Sequence, residues 1–443
     1  MRGNIKGILS VMLLISVLFT ATPVISYAEN TSLPVTWLTQ SYDEVYDFYY
    51  GAARVNKGNK WGLIDKTGKQ IVPLSYDVIL GFEYEFKDGM ALVINKGKYG
   101  LINSKGKVIA PAVYDQIEPF SEGLARVSKG GKLGFINSSG KVVVPIKYDR
   151  ANLGFKEGLS AVAVKVSNER TGYKFGYIDK SGKEVIPLKY TFANDFSEGL
   201  AWVATGKSFN VKYGAINKYG KTIIPFKYIE VRDFSSGIAR VDEGGNNDHY
   251  IDKTGKVVIP SGSDSAVSSI YDSEVSSISE FKDGLALVQK IVDGKAKYGM
   301  IDKTGKVVIP FMFDSINEFS DGLAEVRTGQ EIGFVDRTGN LVLQVPYYST
   351  RSFREGLAVV HEGMHDGVID KTGKLIVPVV YQNINDFKEG NAIVTDDNFK
   401  EGVVDKQGQV VVPLDFNEIR DFNDGMAIAK KGNKWAIIKS PGK

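Results

Sequence analysis

Short apolar runs with a fixed small residue recur along the chain and predict β-strands. In the run at residues 284–288, the second residue after the glycine is Ala286, and the equivalent position holds Ala in ten repeats and Ser in one. The residue that follows varies between repeats. Because successive side chains of a strand point to opposite faces, the small and the variable positions are expected on opposite faces. The face with the small residue should therefore pack closely against another element.

Two further short runs and a tight turn complete the unit. Residues 297–302 and 307–309 predict the next two strands. Residues 302–305, Asp-Lys-Thr-Gly, predict the hairpin turn between them, since Asp accepts backbone N–H groups and Gly adopts positive φ. The third strand ends at Pro310, which has no N–H to give to a sheet. Three strands in roughly 35 residues leave no room for a helix of ordinary length.

This unit is repeated from one end of the chain to the other. The opening glycine occurs eleven times, at intervals of 34 to 47 residues. These glycines are Gly51, Gly89, Gly123, Gly158, Gly199, Gly237, Gly284, Gly322, Gly356, Gly390 and Gly425. Self-similarity at this period predicts a solenoid, a propeller or another array, in which each unit buries its core against its neighbours.

The two ends of the chain carry complementary parts of one unit. Residues 33–45 resemble the end of a repeat, and residues 422–438 resemble the first two thirds of one. Such ends could join and close a propeller-like ring, or could cap an open array. Ten full units and one split unit would make eleven blades, more than the usual four to eight. We therefore predict an all-β fold of three-stranded tandem repeats stacked as an open, curved superhelical array, with the closed ring as the alternative.

A triplet of lysine, an aromatic residue and glycine marks the second predicted strand. It reads Lys60-Trp61-Gly62 in the first repeat, and the variants are Lys98-Tyr99-Gly100, Lys174-Phe175-Gly176 and Lys434-Trp435-Ala436. Together with the Asp-Lys-x-Gly-Lys turn, these triplets resemble the bacterial WG-repeat (KWG-repeat) family over nearly the whole chain. The resemblance implies a β-rich repeat surface with binding roles and no enzymatic residues. The departures are His249-Tyr250, Glu331-Ile332-Gly333, His365-Asp366-Gly367 and Lys400-Glu401-Gly402.

The chain begins with a segment typical of export. Arg2 and Lys6 precede an apolar run at residues 8–19, and small residues at 26–28 suit a signal peptidase. We predict a signal peptide at residues 1–28 and a secreted or cell-surface bacterial protein, with an uncleaved anchor as the rival interpretation. Residues 29–50 are predicted as a short linker and part-repeat, and 51–443 as the repeat domain. That domain has a Ser-rich insertion at 261–279, read as a flexible excursion, and a C-terminal part-repeat from residue 422.

Charge and cysteine content narrow the classes of partner. The formal charge of +3 falls to +1 without Arg2 and Lys6, so nothing indicates the basic field that general nucleic-acid binding requires. The chain has no cysteine, which excludes disulfides and leaves stacking of the repeats as the source of stability. After signal cleavage no membrane span is expected.

One motif matches the sequence pattern of a zinc protease. Residues 361–365 read His-Glu-Gly-Met-His, but zinc chemistry of this type needs both histidines on one face of a helix. The segment aligns with a hairpin in the other repeats, so we predict no catalytic residue, no metal and no cofactor. The alternative is a secreted hydrolase with a site in an atypical repeat, metal-dependent through His361 and His365.

The variable strand position supplies the best binding candidates. Polar or aromatic residues interrupt its aliphatic row, and they are expected to face outward: Arg54, Arg126, Trp202, Arg240 and Glu325. Arg and Trp are favoured in binding hot spots. The alternative is a face partly covered by the next unit. Longer links in repeats four, five and seven form a candidate binding rim, with Arg170, Tyr173 and Phe209 as candidates, and the alternative is sequence drift in a tolerant loop. The expected function is non-catalytic binding of a protein or a cell-envelope or extracellular polysaccharide.

Overall fold

The chain folds into small antiparallel sheets. The computed structural model describes residues 32–81, 89–166, 172–207, 210–245, 248–259, 275–279 and 281–440. Within these ranges there are eleven sheets of four strands each. No helix of that part of the chain has the length and apolarity to cross a membrane. The predicted signal peptide and most of the Ser-rich insertion lie outside the described residues.

Each sheet is one blade, and the blades follow the order of the chain. Blade 1 consists of β2 (Glu44–Tyr49), β3 (Ala52–Lys57), β4 (Lys60–Asp65) and β5 (Gln70–Tyr76); blade 2 of β6 (Val78–Leu80), β7 (Met90–Asn95), β8 (Lys98–Asn103) and β9 (Val108–Tyr114); blade 3 of β10 (Gln116–Ser121), β11 (Leu124–Lys129), β12 (Lys132–Asn137) and β13 (Val142–Tyr148); blade 4 of β14 (Arg150–Ala151), β15 (Leu159–Lys165), β16 (Tyr173–Asp179) and β17 (Glu184–Tyr190). Blade 5 consists of β18 (Phe192–Ala193), β19 (Leu200–Lys207), β20 (Asn210–Asn217) and β21 (Thr222–Tyr228); blade 6 of β22 (Glu230–Val231), β23 (Ile238–Asp242), β24 (Asp248–Asp252) and β25 (Val257–Ile259); blade 7 of β26 (Val275–Ile278), β27 (Leu285–Val292), β28 (Lys295–Asp302) and β29 (Val307–Phe313). Blade 8 consists of β30 (Ser315–Ile316), β31 (Leu323–Thr328), β32 (Glu331–Asp336) and β33 (Leu341–Val345); blade 9 of β34 (Ser349–Thr350), β35 (Leu357–Glu362), β36 (His365–Asp370) and β37 (Leu375–Tyr381); blade 10 of β38 (Asn383–Ile384), β39 (Asn391–Thr395), β40 (Glu401–Asp405) and β41 (Val410–Phe416); blade 11 of β42 (Glu418–Ile419), β43 (Met426–Lys431), β44 (Lys434–Lys439) and β1 (Val35–Trp37).

Blade 11 joins the two ends of the chain and closes a ring. Its fourth strand is β1, which pairs antiparallel with β44 in an unbroken register that places Val35 opposite Ile438. The adjacent N–H of Lys439 donates to the carbonyl of Pro34 at 3.0 Å. The prediction of an open array is therefore wrong, and the ring alternative is correct. An edge strand with unpaired backbone groups is stabilised by a complementary strand, and the N-terminal part-repeat provides it.

The prediction of three strands per unit is also wrong. Every blade has an additional first strand, which in seven blades is only two residues long, as in β14. Two residues cannot show a period-two pattern, so this strand left no signal in the sequence. The end of the Ser-rich insertion, read as a flexible excursion, provides the first strand of blade 7 as β26.

The glycine of the aromatic-glycine phrase is required because the fourth strand passes over it. A Cβ built on Gly134 would lie 2.6 Å from the carbonyl oxygen of Val144, far inside van der Waals contact. The fourth strand contains Pro145 and shifts its register against β12 across this glycine, between Leu133 and Phe135, and again between Phe135 and Ile136. The bulge lets β13 end at Tyr148 and the next blade begin at Arg150.

The lysine of the same phrase ties four of the blades to the next one. Lys98 of blade 2 lies 2.6 Å from one carboxylate oxygen of Asp115, which precedes blade 3. The other oxygen accepts the N–H of Gly130 in a hairpin of blade 3 at 2.7 Å. Equivalent ion pairs join Lys60 to Asp77, Lys132 to Asp149, and Lys297 to Asp314.

A second set of bonds runs between the turns that connect the first and second strands. The Glu122 carboxylate accepts the N–H of Gly158 in the next blade at 3.0 Å and pairs with Lys180 at 2.9 Å. Acid-to-glycine bonds of this kind occur at seven junctions, and the bond from Gly51 to Asp424 joins blade 1 to blade 11. Burial would raise the pKa of Glu122, but Lys180 and the Gly158 N–H outweigh it and lower that pKa.

The hydrophobic core lies between successive blades. One cluster joins Leu159, Ala161 and Tyr177 of blade 4 to Ala201 and Val203 of blade 5. The fixed small residue predicted to pack closely does so, because Ala201 is 1% exposed. The aromatic residues of the repeated phrase are half-buried against these clusters, and Trp435 is fully buried.

Cysteine substitution tests the closure of the ring. In a Val35→Cys/Ile438→Cys variant we expect a disulfide to form on oxidation, because the two residues are directly opposite and next to a hydrogen-bonded pair. The measurement is mobility in a non-reducing gel together with the melting temperature, which should rise. Val35→Cys/Ile437→Cys is the matched control. An open chain would give only intermolecular products.

The close approach to Gly134 predicts a large cost for a single methyl group. Gly134→Ala should lower the free energy of unfolding by about 2–3 kcal/mol, because the Val144 carbonyl must move. Ala436 occupies the equivalent position in blade 11, where β1 pairs without a register shift. Ala436→Gly should therefore cost only about 1 kcal/mol. Urea unfolding of both variants compares them, and equal losses would contradict the argument.

The turn aspartates predict a loss of stability in acid. Hydrogen bonds from the Thr338 hydroxyl and from nearby backbone N–H groups hold the pKa of Asp336 at about 2, below its ordinary value of 3.8. A carboxyl with a lowered pKa stabilises the fold above its ordinary pKa, and this contribution is lost as the pH falls through the folded value. Melting temperatures should therefore drop between about pH 4 and 2.

Asp336→Asn is the matched variant for this test, because Asn already occupies the equivalent turn position at Asn103, Asn137 and Asn217. It should fold at neutral pH and lose less stability in acid than the parent chain. The same loss in both proteins would show that this turn does not contribute.

Candidate binding site between blades 7 and 8

The variable strand position points into the gap between one blade and the next. In blade 3, the Arg126 guanidinium donates to the carbonyl of Ala151 in blade 4 at 2.6 Å. In blade 5, the Trp202 indole donates to the carbonyl of Arg232 at 2.8 Å and stacks on Phe234. A long side chain at this position therefore fills the gap beside the first strand of the following blade.

Blade 7 has Leu287 at this position, and the gap stays open. Both Leu287 and Leu285 are half-buried, whereas Leu200 and Trp202 of blade 5 are buried, and Leu92 at the equivalent position of blade 2 is 2% exposed. The result is a cavity of about 440 Å³ between blades 7 and 8. This volume is within the range of ligand pockets.

The pocket has an apolar floor and a charged rim. The floor is formed by Phe281, Leu285, Leu287, Met300, Ile316 and Phe319. Two ion pairs cross from blade 7 to blade 8 at the rim: Lys282 with Glu318 at 2.7 Å and Asp283 with Arg337 at 2.9 Å. The Arg337 guanidinium also lies over the Phe319 ring, 5.0 Å from its centre. The arrangement can hold an apolar group and orient a charged or polar group beside it.

Phe281 also lines a second cavity, on the other side of blade 7. This cavity has a volume of about 230 Å³ and lies between blades 6 and 7. Arg232, Asp233 and Arg240 lie on its polar side, and Tyr250 and Phe281 on its apolar side. The two cavities therefore flank one aromatic side chain, which is 5% exposed.

Most of the predicted outward row does not face outward. Trp202 and Glu325 are 1% and 3% exposed, so that prediction is wrong for both. Glu325 accepts hydrogen bonds from Thr350 of blade 9 at 2.8 Å and from Arg327 at 2.9 Å. Arg126 is held by Ala151, as described above. The alternative, a face covered by the next unit, is the correct one here because curvature of the ring brings the blades face to face.

Arg54 and Arg240 complete the row. The Arg54 guanidinium is half-buried, bonds to the carbonyl of Ile79 at 3.1 Å and lies over the Tyr46 ring. Arg240 is exposed and lies at the cavity between blades 6 and 7. Among the five candidates in the row, Arg240 alone lines one of the two cavities beside Phe281.

The predicted rim of long links is built differently. In blade 7 the extra residues lengthen β27 and β28 to eight residues each, so that link is a longer hairpin and not a loop. Tyr173 is half-buried, and the Arg150 guanidinium lies 4.8 Å from its ring centre. Arg170 and Phe209 lie outside the described residues.

The zinc-protease motif lies on a hairpin, as the sequence predicted. β35 ends at Glu362 and β36 begins at His365. The His361 ring bonds to Asp366 at 2.7 Å, and the His365 ring bonds to Asp397 at 3.0 Å. The two rings thus have separate acidic partners. No cluster of three His, Cys, Asp or Glu suited to a metal ion occurs in the described part of the chain.

Most residues of the pocket were missed from sequence. Phe281, Met300, Ile316 and Phe319 each occupy a position that reads as ordinary core in its own repeat. Leu287 gave no signal by itself, because short aliphatic residues occupy the same position in other blades and are buried there, as Leu92 and Ala161 are. It becomes informative only when that position is known to fill a gap between blades.

The fold and the pocket together define a class. The protein is an eleven-bladed β-propeller whose blades are locked by repeated side-chain bonds and which has apolar cavities between neighbouring blades. The WG containing repeat family matches the chain at residues 41–61, 61–99, 99–132, 134–165, 175–207, 213–246, 298–330, 332–363, 367–398 and 402–435. The chain belongs to the WG containing repeat family. No curated protein matches it.

Solved structures are similar only at a low level. A eukaryotic initiation factor is 11% identical with a TM-score of 0.40, covering 90% of this chain and 98% of its own. The tricorn protease is 14% identical with a TM-score of 0.21, covering 88% and 42%. The extracellular domain of a one-component system from B. thetaiotaomicron is 10% identical with a TM-score of 0.23, covering 94% and 82%. These values carry no information about function.

Proposed function

We propose that this protein is an exported bacterial scaffold without a catalytic centre, and that it binds a partner protein through the pocket between blades 7 and 8. The observation that carries the proposal is the open apolar cavity at Leu287, at a position that Arg126 and Trp202 fill in other blades. Export is inferred from the apolar run and the small residues of the first 28 residues.

The chemistry of the pocket favours a protein over a polysaccharide. Its floor is made of aliphatic side chains, Met300 and two phenylalanines, which suit an inserted apolar side chain. The rim pairs Lys282 with Glu318 and Asp283 with Arg337, so both signs of charge are offered close to the opening. Sugar rings are usually held by exposed aromatic faces and hydrogen-bonding groups, and Phe281 is 5% exposed.

The ring offers a partner further contact area beyond this pocket. Each junction between blades repeats the same backbone geometry, so a partner can contact several blades at once. Many weak contacts on one rigid frame give avidity without a deep cavity. The pocket then fixes the register of the partner on the ring.

Filling the pocket should abolish binding without unfolding the ring. Leu287→Trp places in blade 7 the residue that blade 5 has at Trp202, so the fold should accept it. We expect at least a tenfold loss of affinity for the partner captured from native cell envelopes, measured by biolayer interferometry. The control is Val142→Trp, which adds the same side chain at an exposed site in blade 3.

A photo-crosslinking amino acid at position 287 identifies the class of partner. The expected product is a crosslinked adduct whose attached partner is digested by protease. This adduct should be absent when the same amino acid is placed at position 142. A product that resists protease and is removed by glycosidases would replace the protein by a polysaccharide. Absence of any product with intact envelopes would contradict the site.

A further inference from the structure

The fourth strand of each blade is the last strand of its sheet, and such an edge can accept another strand. In eight blades this strand contains a proline, as with Pro145 in β13 and Pro310 in β29. In these blades the register breaks at the glycine of the third strand. Proline has no N–H to donate, and the bulge distorts the ladder, so these edges are poor templates for strand addition.

Blade 8 lacks this protection. Gln344 follows Asp336 by eight residues, the spacing at which Pro73 follows Asp65 in blade 1. Gln344 pairs directly with Gly333, whereas in the other described blades the equivalent glycine has no partner in the fourth strand. The proline of this repeat, Pro346, comes after β33 has ended.

The backbone of β33 accordingly lies farther from the third strand's glycine. A Cβ on Gly333 would be 3.2 Å from the Leu343 carbonyl oxygen, compared with 2.6 Å between the same atoms at Gly134 and Val144. β33 has one register shift against its third strand, whereas the other described fourth strands that follow a glycine of this type have two. Its backbone groups on the side away from β32 face no other strand of the described residues.

The side chains of this edge are uncharged and, apart from Gln344, apolar. Leu341 and Val342 are 56% and 50% exposed, and the whole strand reads Leu-Val-Leu-Gln-Val. Strand edges are commonly protected by lysine, proline or a bulge. β33 contains no lysine and no proline, and it keeps one register shift against β32, between Phe334 and Val335. A partner strand would meet both free backbone groups and apolar side chains.

The fold already shows strand addition at its seam. In blade 11, β1 comes from the other end of the chain and adds to β44 in unbroken register. In blade 11 Ala436 replaces the glycine of the repeated phrase and pairs directly with Trp37, as Gly333 pairs directly with Gln344 in blade 8. A remote segment of the chain thus adds to a sheet edge by regular strand pairing in this molecule.

We propose that β33 is a docking edge for an extended segment of a partner protein, which adds to blade 8 as a fifth strand. Backbone hydrogen bonds supply affinity, and Leu341 and Val342 select apolar residues at alternate positions of the segment. A segment of about five to seven residues matches the length of β33. Two rings joined only at this edge would bury much less than the roughly 1,200 Å² of a stable interface, so a second copy is not the occupant.

The edge is separate from the pocket between blades 7 and 8, and the experiment keeps the two apart. Random heptapeptides displayed on phage are selected on the full mature chain, and synthetic copies of the selected sequences are measured by fluorescence anisotropy. The test variant is Gln344→Pro, which restores the residue that eight other blades contain and removes one N–H. Gln344→Ala keeps the N–H and is the matched control. Leu287→Trp blocks the pocket and leaves the edge intact.

We expect peptides with alternating apolar residues that bind the parent chain, Gln344→Ala and Leu287→Trp equally, and bind Gln344→Pro at least tenfold more weakly. Amide hydrogen exchange should slow at residues 341–345 of the protein when a peptide binds. Peptides that are N-methylated at alternate peptide bonds should no longer bind. As a second variant, Val342→Lys should weaken binding through charge without altering the backbone.

Three results would overturn the proposal. One is the recovery of no peptide, or only of peptides that bind Gln344→Pro as well as the parent chain. Another is loss of binding in Leu287→Trp with protection at Phe281, which would assign the peptides to the pocket and support only the proposed function. The third is a concentration-dependent dimer that disappears in Gln344→Pro, which would make a second copy the occupant.

Discussion

The structure depends on how closely the fourth strand of a blade approaches the glycine of its third strand. At Gly134 there is no room for a Cβ beside the Val144 carbonyl. This approach goes with the bulge at Pro145, and the bulge directs the end of β13 toward the next blade. The following strand then begins two residues after Tyr148. Blades 3 and 4 are therefore joined without a linker, and a unit of this kind can be repeated around a ring.

Electrostatic bonds fix the angle between blades once they are joined. Asp115 uses one oxygen for Lys98 of the preceding blade and the other for the Gly130 N–H of its own blade. Single exposed ion pairs contribute little to stability, but repetition around a closed ring makes each one part of a common geometry. Basic and acidic residues of the chain pair with each other in this way. The nearly neutral net charge therefore reflects these internal ion pairs and gives little information about a partner.

Function is expected where the repeated geometry is relaxed. Leu287 leaves a gap that Arg126 and Trp202 close elsewhere, and Gln344 leaves an edge that proline closes elsewhere. Gln344 is a single-residue departure from the other repeats, whereas Leu287 matches Leu92 of blade 2, which is 2% exposed, so the gap at blade 7 depends on its surroundings as well. The more conspicuous motif at His361 and His365 has a structural explanation, since each ring bonds to its own carboxylate on a hairpin. In a repeat protein, the informative residue is the one that fails to make the contact its equivalents make.

The sequence by itself determined the local structure: the strands around Ala286, the turn at Asp302, the hairpin at Gly363 and the membership of a WG-type repeat array. These features follow from neighbouring residues and recur, so each repeat supports the same reading. The first strand of most blades was not predicted, because a strand of two residues cannot show a period-two pattern of side chains. Closure of the ring, burial of Trp202 and the pocket at Leu287 were decided only by tertiary structure. Each depends on the distance between residues of different blades, and a linear pattern contains no information about the curvature that sets this distance.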